Sequence, residues 1–203
     1  MKDDKETKLK LLASAKKEFM EKGYMQASLR TICKEAGVTT GALYFFFQDK
    51  EDLFASLVEI PLNKLYEIMN HHYQQEIIEA EKGFVIKQDF SDDLETARQI
   101  IHYIFQYKEE CRLILIKSQG SRFEHAIDKF VDITEKHYRI LFDQIAEQMG
   151  REKADDFIIH WMAHIHIDIF VHMLAHEESE EAAQQHMGKI IKYFTSGSYG
   201  IFG

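Results

Sequence analysis

Residues 28–50 read SLRTICKEAGVTTGALYFFFQDK, two short helical patterns around a tight turn. Ser28 is placed to cap the first, because a serine hydroxyl accepts from the free N–H groups that open a helix. Leu29, Ile32, Cys33 and Ala36 then recur at the spacing of one inward face. Gly37 should end that helix in the left-handed conformation glycine adopts cheaply. Val38 fills the angle between the helices and Thr39 caps the next, predicted from Thr40 to about Phe47. Small residues crowd its start (Thr39, Thr40, Gly41, Ala42), while Leu43 and Phe47, four apart, point inward. An anchored helix, a glycine turn and a second helix whose first residues can approach a groove closely are the requirements of a DNA-reading helix-turn-helix.

The flanks sharpen this reading. The run FMEKGYMQASLRTICKEAGVTTGALYFFFQDKEDLF, residues 19–54, carries Phe19, Gly23-Tyr24, Ser28, Ile32, Ala36-Gly37-Val38, Gly41, Leu43-Tyr44, Phe47, Lys50-Glu51 and Leu53. At that spacing it resembles the N-terminal domain of the TetR family of bacterial one-component transcriptional regulators, over about a quarter of the chain. The resemblance implies a helix-turn-helix domain at residues 1–47, an effector-binding and dimerisation domain at 48–203, and a homodimer on a double-stranded DNA operator. It places Thr39, Thr40, Gly41 and Tyr44 toward the major groove, and Ser28, Arg30, Thr31 and Lys50 on the DNA backbone or flanking bases. Phe45 and Phe46 stand where the family usually has polar or hydroxyl-bearing residues. Phenylalanine cannot donate to phosphate, so Phe45 is expected against a thymine methyl or a sugar.

The chain has 203 residues and a net charge of −9, which does not suit a polyanion-binding protein until it is divided. Residues 1–50 hold 10 Lys and Arg against 7 Asp and Glu; the other 153 hold 15 against 27. A basic module on an acidic body is what counterion release at phosphates requires. With one proline and abundant Leu, Ile, Lys, Glu and Ala, the expected class is all-α. No stretch approaches the roughly 20 apolar residues of a bilayer span, and the opening MKDDKETK is too charged for a signal peptide. Cytoplasmic localisation without a membrane partner is therefore expected. Cys33 and Cys111 form no C-x-x-C and are read as reduced core thiols.

Taken in order, helix 1 is predicted from about Asp3 to Lys22, closed by Gly23. A helix capped by Asp49 should extend to about Ala80, kinked near Ile60 by Pro61. A loop from Lys82 to Phe90 precedes a helix starting at Ser91; Tyr107 to Glu110 makes a break before a short helix from Cys111 to about Lys117. After a Gly120-Ser121 turn, a helix runs from about Arg122 to Met149, closed by Gly150. Residues 153–176, KADDFIIHWMAHIHIDIFVHMLAH, are apolar nearly all round, so both sides need covering. One side can be the domain's own core. A second copy of the chain is the economical cover for the other, with the last helix, about Glu180 to Phe194, completing a four-helix interface.

His160, His164, Asp168, His172 and His176 recur every four residues in that segment. Neighbours can chelate, but each step turns about 40° beyond a full revolution, so the series cannot face one ion. Hydrogen bonding across an interface is the competing role, and no metal ligand or cofactor is assigned. Enzyme motifs are absent: no His has Glu three residues before it, and there is no H-E-x-x-H, G-x-G-x-x-G, Walker loop or G-x-S-x-G. The resemblance implies an effector cavity, for which His72, His102, Tyr103, Phe105, Tyr138, Trp161, His164 and Asp168 are the candidate lining. That set favours a cationic, metal or hydrogen-bonding effector, with an acidic ligand on protonated His left open. The functional expectation is a repressor released from its operator by a small molecule; the alternative is a helical metal- or haem-binding protein using the His-rich penultimate helix.

Overall fold

The computed structural model describes residues 2–82 and 91–198. The described residues form α1 (Lys2–Gln26), α2 (Leu29–Ala36), α3 (Thr40–Phe46), α4 (Lys50–Glu81), α5 (Ser91–Gln106), α6 (Lys108–Ile116), α7 (Ala126–Met149), α8 (Asp156–His176) and α9 (Glu180–Ser198). The all-α expectation holds, and the chain divides into two compact units. The first combines α1–α3, α4 as far as Lys64, and residues 107–126 with α6; the second holds α4 from Leu65, α5, α7, α8 and α9.

In the first unit the turn chemistry acts as the sequence predicts. Ser28 Oγ accepts from Thr31 N at 3.5 Å and Thr39 Oγ1 from Ala42 N at 3.2 Å, each satisfying a donor at a helix start. Gly37 lies at φ 68°, ψ 32° and returns its N–H to the carbonyls of Cys33 and Lys34. At the head of α4, Asp52 N donates to Asp49 Oδ1 at 2.8 Å while Gln48 N donates to Asp52 Oδ2 at 2.9 Å, a reciprocal cap. Leu11, Phe19, Ile32, Leu43, Phe47, Leu53 and Phe54 fill the core. Each such side chain contributes about 1.5–3 kcal/mol by leaving water. Cys33 and Cys111 are buried free thiols, and burial pushes the Cys111 pKa up to about 12, with Glu110 adding to it.

Several boundaries differ from expectation. Helix α1 is broken at Gly23 as expected, with Gly23 non-helical at φ 75°, ψ 164°, though a further helical turn runs on to Gln26; the break frees Tyr24 N to donate to Lys117 O at 2.8 Å. Helix α4 runs through Pro61 to Glu81, close to the expected end. Helix α6 starts at Lys108 rather than Cys111, because only Tyr107 (φ −119°, ψ 41°) leaves helical geometry. Helix α7 starts at Ala126 rather than Arg122: Ser121 N donates to Ser118 O at 2.9 Å and Phe123 N to Ser121 Oγ at 3.1 Å, holding a turn. Asp155 caps α8 through Phe157 N at 2.8 Å, so that helix starts at Asp156 and not at 153. The predicted loop at 83–90 lies outside the described residues. Contrary to the sequence expectation, α8 is long and apolar enough to cross a membrane by length and composition, because Ile, Phe, Met and Ala outweigh its interspersed His and Asp.

The second unit packs α5 on α9 and builds its core along α4, α7 and α8. Tyr66 lies 4.4 Å from Phe130, and Tyr138 stacks on Phe142 at 5.2 Å. The buried positions of α7, Phe130, Val131, Thr134, His137, Tyr138, Phe142, Ile145 and Ala146, follow the three-and-four spacing of one face. Thr134 and His137 are its polar members.

Candidate functional site

Helix α3 buries Leu43, with Phe47 buried just past its end, and turns Thr40, Gly41, Tyr44 and Phe45 outward. Tyr44 is 55% and Phe45 75% exposed, large areas for aromatic rings. The Phe45 ring meets Phe46 edge-on at 4.9 Å, which holds it out from the helix. Gly41 is informative. Its φ is not positive, and a Cβ added there would meet Thr39 Oγ1 at 3.8 Å, an ordinary contact. Glycine inside a helix costs about 1 kcal/mol relative to alanine. Among the described residues, no contact at this position requires the absence of a side chain.

The flanking residues divide. Arg30 is exposed, and Thr31 is half-buried beside the cap formed by Ser28. Ser28 N also donates to Glu18 Oε1 at 3.1 Å, so this residue is committed to the fold on both sides. Lys50 is more committed still: its ammonium donates to Met25 O at 3.1 Å and Ala27 O at 3.0 Å and lies 4.6 Å over the Tyr24 ring. Burial lowers its pKa, against an opposing pull from Glu51. A lysine has three donors, and two of them here tie the end of α1 to α4.

In the second unit a polar cluster lies among α4, α5, α7 and α8. His72 and Glu76 are one turn apart on α4, with His72 Nε2 at 3.5 Å from Glu76 Oε2 and 3.6 Å from Asp93 Oδ1. Thr96 Oγ1 sits 3.1 Å from the other ring nitrogen of His72. His137, 3% exposed, stacks flat on Tyr73 at 4.0 Å and brings Nε2 to 2.8 Å from Glu76 Oε2. Neither of its ring nitrogens has the alignment of a hydrogen bond. Tyr73 and Thr134 share a hydrogen bond at 3.0 Å.

Electrostatics follow from this enclosure. Burial pushes the Glu76 carboxyl up, but the His137 contact, with His72 and His166 close by, outweighs it, and the net pKa is lowered. Burial drives His166 down to about 4, with Glu76 opposing. Some of its surface reaches solvent, yet dense surrounding atoms keep the imidazole neutral and able to accept from the Tyr138 hydroxyl. Burial raises the Tyr138 hydroxyl well above its ordinary value.

Of the eight residues expected around an effector, His72 and Tyr138 reach this cluster. Tyr103 and Phe105 are half-buried on α5. His102 is exposed and pairs through Nδ1 with Glu180 at 3.0 Å. Trp161 is 53% exposed, His164 packs edge-on against His160 at 4.6 Å, and Asp168 lies in a groove between α8 and α9 with His172, His176 and His186. The α8 series therefore spreads over different surroundings: His160 Nδ1 is 2.7 Å from Glu135 Oε2, while His172 and His176 stack at 5.6 Å. Among the described residues, the grouped donors suited to a metal are His72, Glu76 and Asp93, none of them on α8, which removes support for a haem or metal protein built on that helix. Glu76, Asp93, His137 and His166 were not singled out from the sequence. The available signal was Thr134 and His137 at inward positions of the α7 stripe, where apolar residues are the rule.

The first unit thus has a helix-turn-helix whose outer helix faces away from its core. Comparison with known proteins agrees with that class. Residues 11–57 match the family described as bacterial regulatory proteins, tetR family. The chain is 45% identical over 53 residues, 26% of its length and 25% of the relative's, to the HTH-type transcriptional repressor BepR of Brucella suis biovar 1 (strain 1330). It is 30% identical over 92 residues to the fatty acid metabolism regulator protein of Bacillus subtilis (strain 168), covering 45% of this chain and 47% of that one. It spans about half or less of the length of these two relatives. Among solved structures, CprB from S. coelicolor A3(2), of the TetR family, aligns at a TM-score of 0.55 and 21% identity, over 91% of this chain and 86% of that one. NalD, the secondary repressor of the MexAB-OprM multidrug efflux pump in Pseudomonas aeruginosa, aligns at 0.54 and 16%, over 95% and 98%. Residues 11–57 are thus similar to the DNA-binding segment of tetR-family regulators.

Proposed function

We propose that the chain is a one-component transcriptional regulator that binds an operator through residues 1–47 and is released by a small molecule bound within residues 48–203. The observation that carries this reading is the outer face of α3, where an unforced glycine lies between exposed Thr40, Tyr44 and Phe45. The name of the Brucella relative, a repressor, supports the direction of control. Thr39, Thr40, Gly41 and Tyr44 face the major groove in this reading, with Arg30, Thr31 and the last Lys50 donor toward the DNA backbone and Ser28 holding the helix that carries them. Phe45 covers a thymine methyl or sugar. No catalytic role is assigned.

The active form in this reading is a cytoplasmic homodimer joined through α8 and α9. Phe157 and Trp161 on α8 and Tyr193 on α9 are exposed in the single chain, and a face of that kind is covered economically by its own copy.

Footprinting upstream of the protein's own gene defines the operator. Thr40→Ala and Tyr44→Ala are then expected to weaken specific binding by about 1–3 kcal/mol each without altering the melting transition. Gly41→Ala is expected to weaken binding while leaving the free protein as stable or slightly more so, since the added methyl meets only an ordinary contact. Unchanged operator affinity in all three would remove α3 as the reading helix.

A further inference from the structure

The polar cluster of the second unit has a property beyond effector recognition in general. Its donor atoms on His72, Glu76 and Asp93 all lie within 4.8 Å of one another. The distances from His72 Nε2, 3.5 Å and 3.6 Å to the two carboxylates, are those of atoms sharing one ion. Ligands about 2.0–2.1 Å from a zinc ion, spread at tetrahedral angles, stand roughly 3.3 Å apart. Secondary structure supplies the convergence: His72 and Glu76 are neighbours on one face of α4, and Asp93 comes from the first turn of α5.

Two further observations point to a ligand and not to a solvated charge cluster. Thr96 Oγ1 stands 3.1 Å from His72 Nδ1, which fixes the ring so that Nε2 faces the carboxylates, the outer contact expected of a metal-binding imidazole. His137, with 2% of its side chain exposed, brings Nε2 to 2.8 Å from Glu76 Oε2 without the alignment of a hydrogen bond, and its Nδ1 has no hydrogen-bond partner. Buried polar atoms without partners are uncommon and call for a cause. For Nε2 an ion on Glu76 supplies one, because the carboxylate would turn toward the cation and leave its other oxygen to the imidazole.

We propose that His72, Glu76 and Asp93 bind a divalent first-row transition ion, with His137 positioning the Glu76 carboxylate. One imidazole and two carboxylates on hard and borderline donor atoms suit Zn²⁺, Mn²⁺ or Fe²⁺ better than a thiolate-seeking ion, and Zn²⁺ and Co²⁺ are the practical probes. The site does not depend on operator binding, so its test uses no DNA.

The full chain, stripped with a chelator, is titrated with Zn²⁺ by calorimetry and with Co²⁺ by visible absorption. The expected result is one ion per chain at micromolar affinity or tighter, with Asp93→Asn and Glu76→Gln each weakening it by at least about 10-fold. Asp93 is partly exposed, so Asp93→Asn should fold and decides the matter if Glu76→Gln does not. The double variant His172→Ala/His176→Ala, which removes the stacked pair of α8, should bind as the parent does. His137→Phe is expected to weaken binding less than Asp93→Asn and to leave the Co²⁺ bands in place. Absence of stoichiometric binding, or binding lost in the α8 double variant and kept in Asp93→Asn, overturns the proposal.

Discussion

His166 shows how one side chain carries a measurable property that its neighbours create. Its imidazole is held neutral, with a pKa near 4 in the folded chain, against about 6.5 when unfolded. The unfolded chain therefore takes the proton first. Stability from this group is complete above about pH 6.5 and is lost as pH falls toward 4, by about 1–3 kcal/mol. Glu76, whose carboxyl is lowered, acts in the same direction at the acid end. Urea denaturation between pH 7 and 4.5 should show this decline, and His166→Gln should flatten it; an equal slope in both proteins would assign the dependence elsewhere. Gly37 is a second case, because its φ of 68° is one that other side chains rarely adopt. Although open space surrounds it, Gly37→Ala should cost about 1 kcal/mol of stability from backbone strain, read as a lower urea midpoint.

Among the elements, α6 stands out for belonging with the helix-turn-helix. Lys16 on α1 reaches Glu110 at 2.8 Å and Glu109 at 3.0 Å. Burial would lower the Lys16 pKa, but the two carboxylates overcome it and raise the value. Beyond α6, Glu51 accepts from Tyr24 Oη at 2.9 Å and from Arg122 N at 3.2 Å, so the turn leading to α7 is tied to α1 and α4 together. Burial followed by the Glu51 contact raises the Tyr24 pKa to about 12. Glu51→Ala leaves two donors without their acceptor and is expected to cost about 1–2 kcal/mol, measured as a shift in the urea midpoint. An unshifted midpoint would show that water replaces the carboxylate. The predicted break at Tyr107 to Glu110 shrinks to Tyr107 for a related reason: Glu109 and Glu110 look like loop residues until their partner on α1 is known.

For the molecule as a whole, the proposed dimer makes a prediction at α8 and α9. Trp161 is largely exposed, so Trp161→Glu should leave the single chain folded and yet, in a dimer joined through α8 and α9, bury an unpaired charge costing several kcal/mol. Sedimentation should show a monomer for Trp161→Glu and for Ile169→Glu, which lies in the groove between the two helices. A dimer unaltered by both places the interface elsewhere. The helix with the composition of a membrane span also carries polar contacts within the second unit, His160 with Glu135 and His166 with Tyr138.

The helix-turn-helix was legible in the linear chain because its information is local. Ser28 and Thr39 cap within three residues, Gly37 needs only its own φ, and Leu43 with Phe47 shows its buried face one turn apart. The charge division between residues 1–50 and the remainder needed no coordinates either. The polar cluster was of the other kind. Glu76, Asp93, His137 and His166 lie on four helices, and no spacing along the chain relates them. Their meeting depends on how α4, α5, α7 and α8 rotate and pack, which is set by the whole apolar core. The same holds for Lys50, a plausible phosphate contact by position, whose ammonium goes to the carbonyls of Met25 and Ala27 once α1 and α4 are side by side. Periodicity and capping act over one helical turn, whereas convergence of charged groups is decided by packing between turns far apart in the chain.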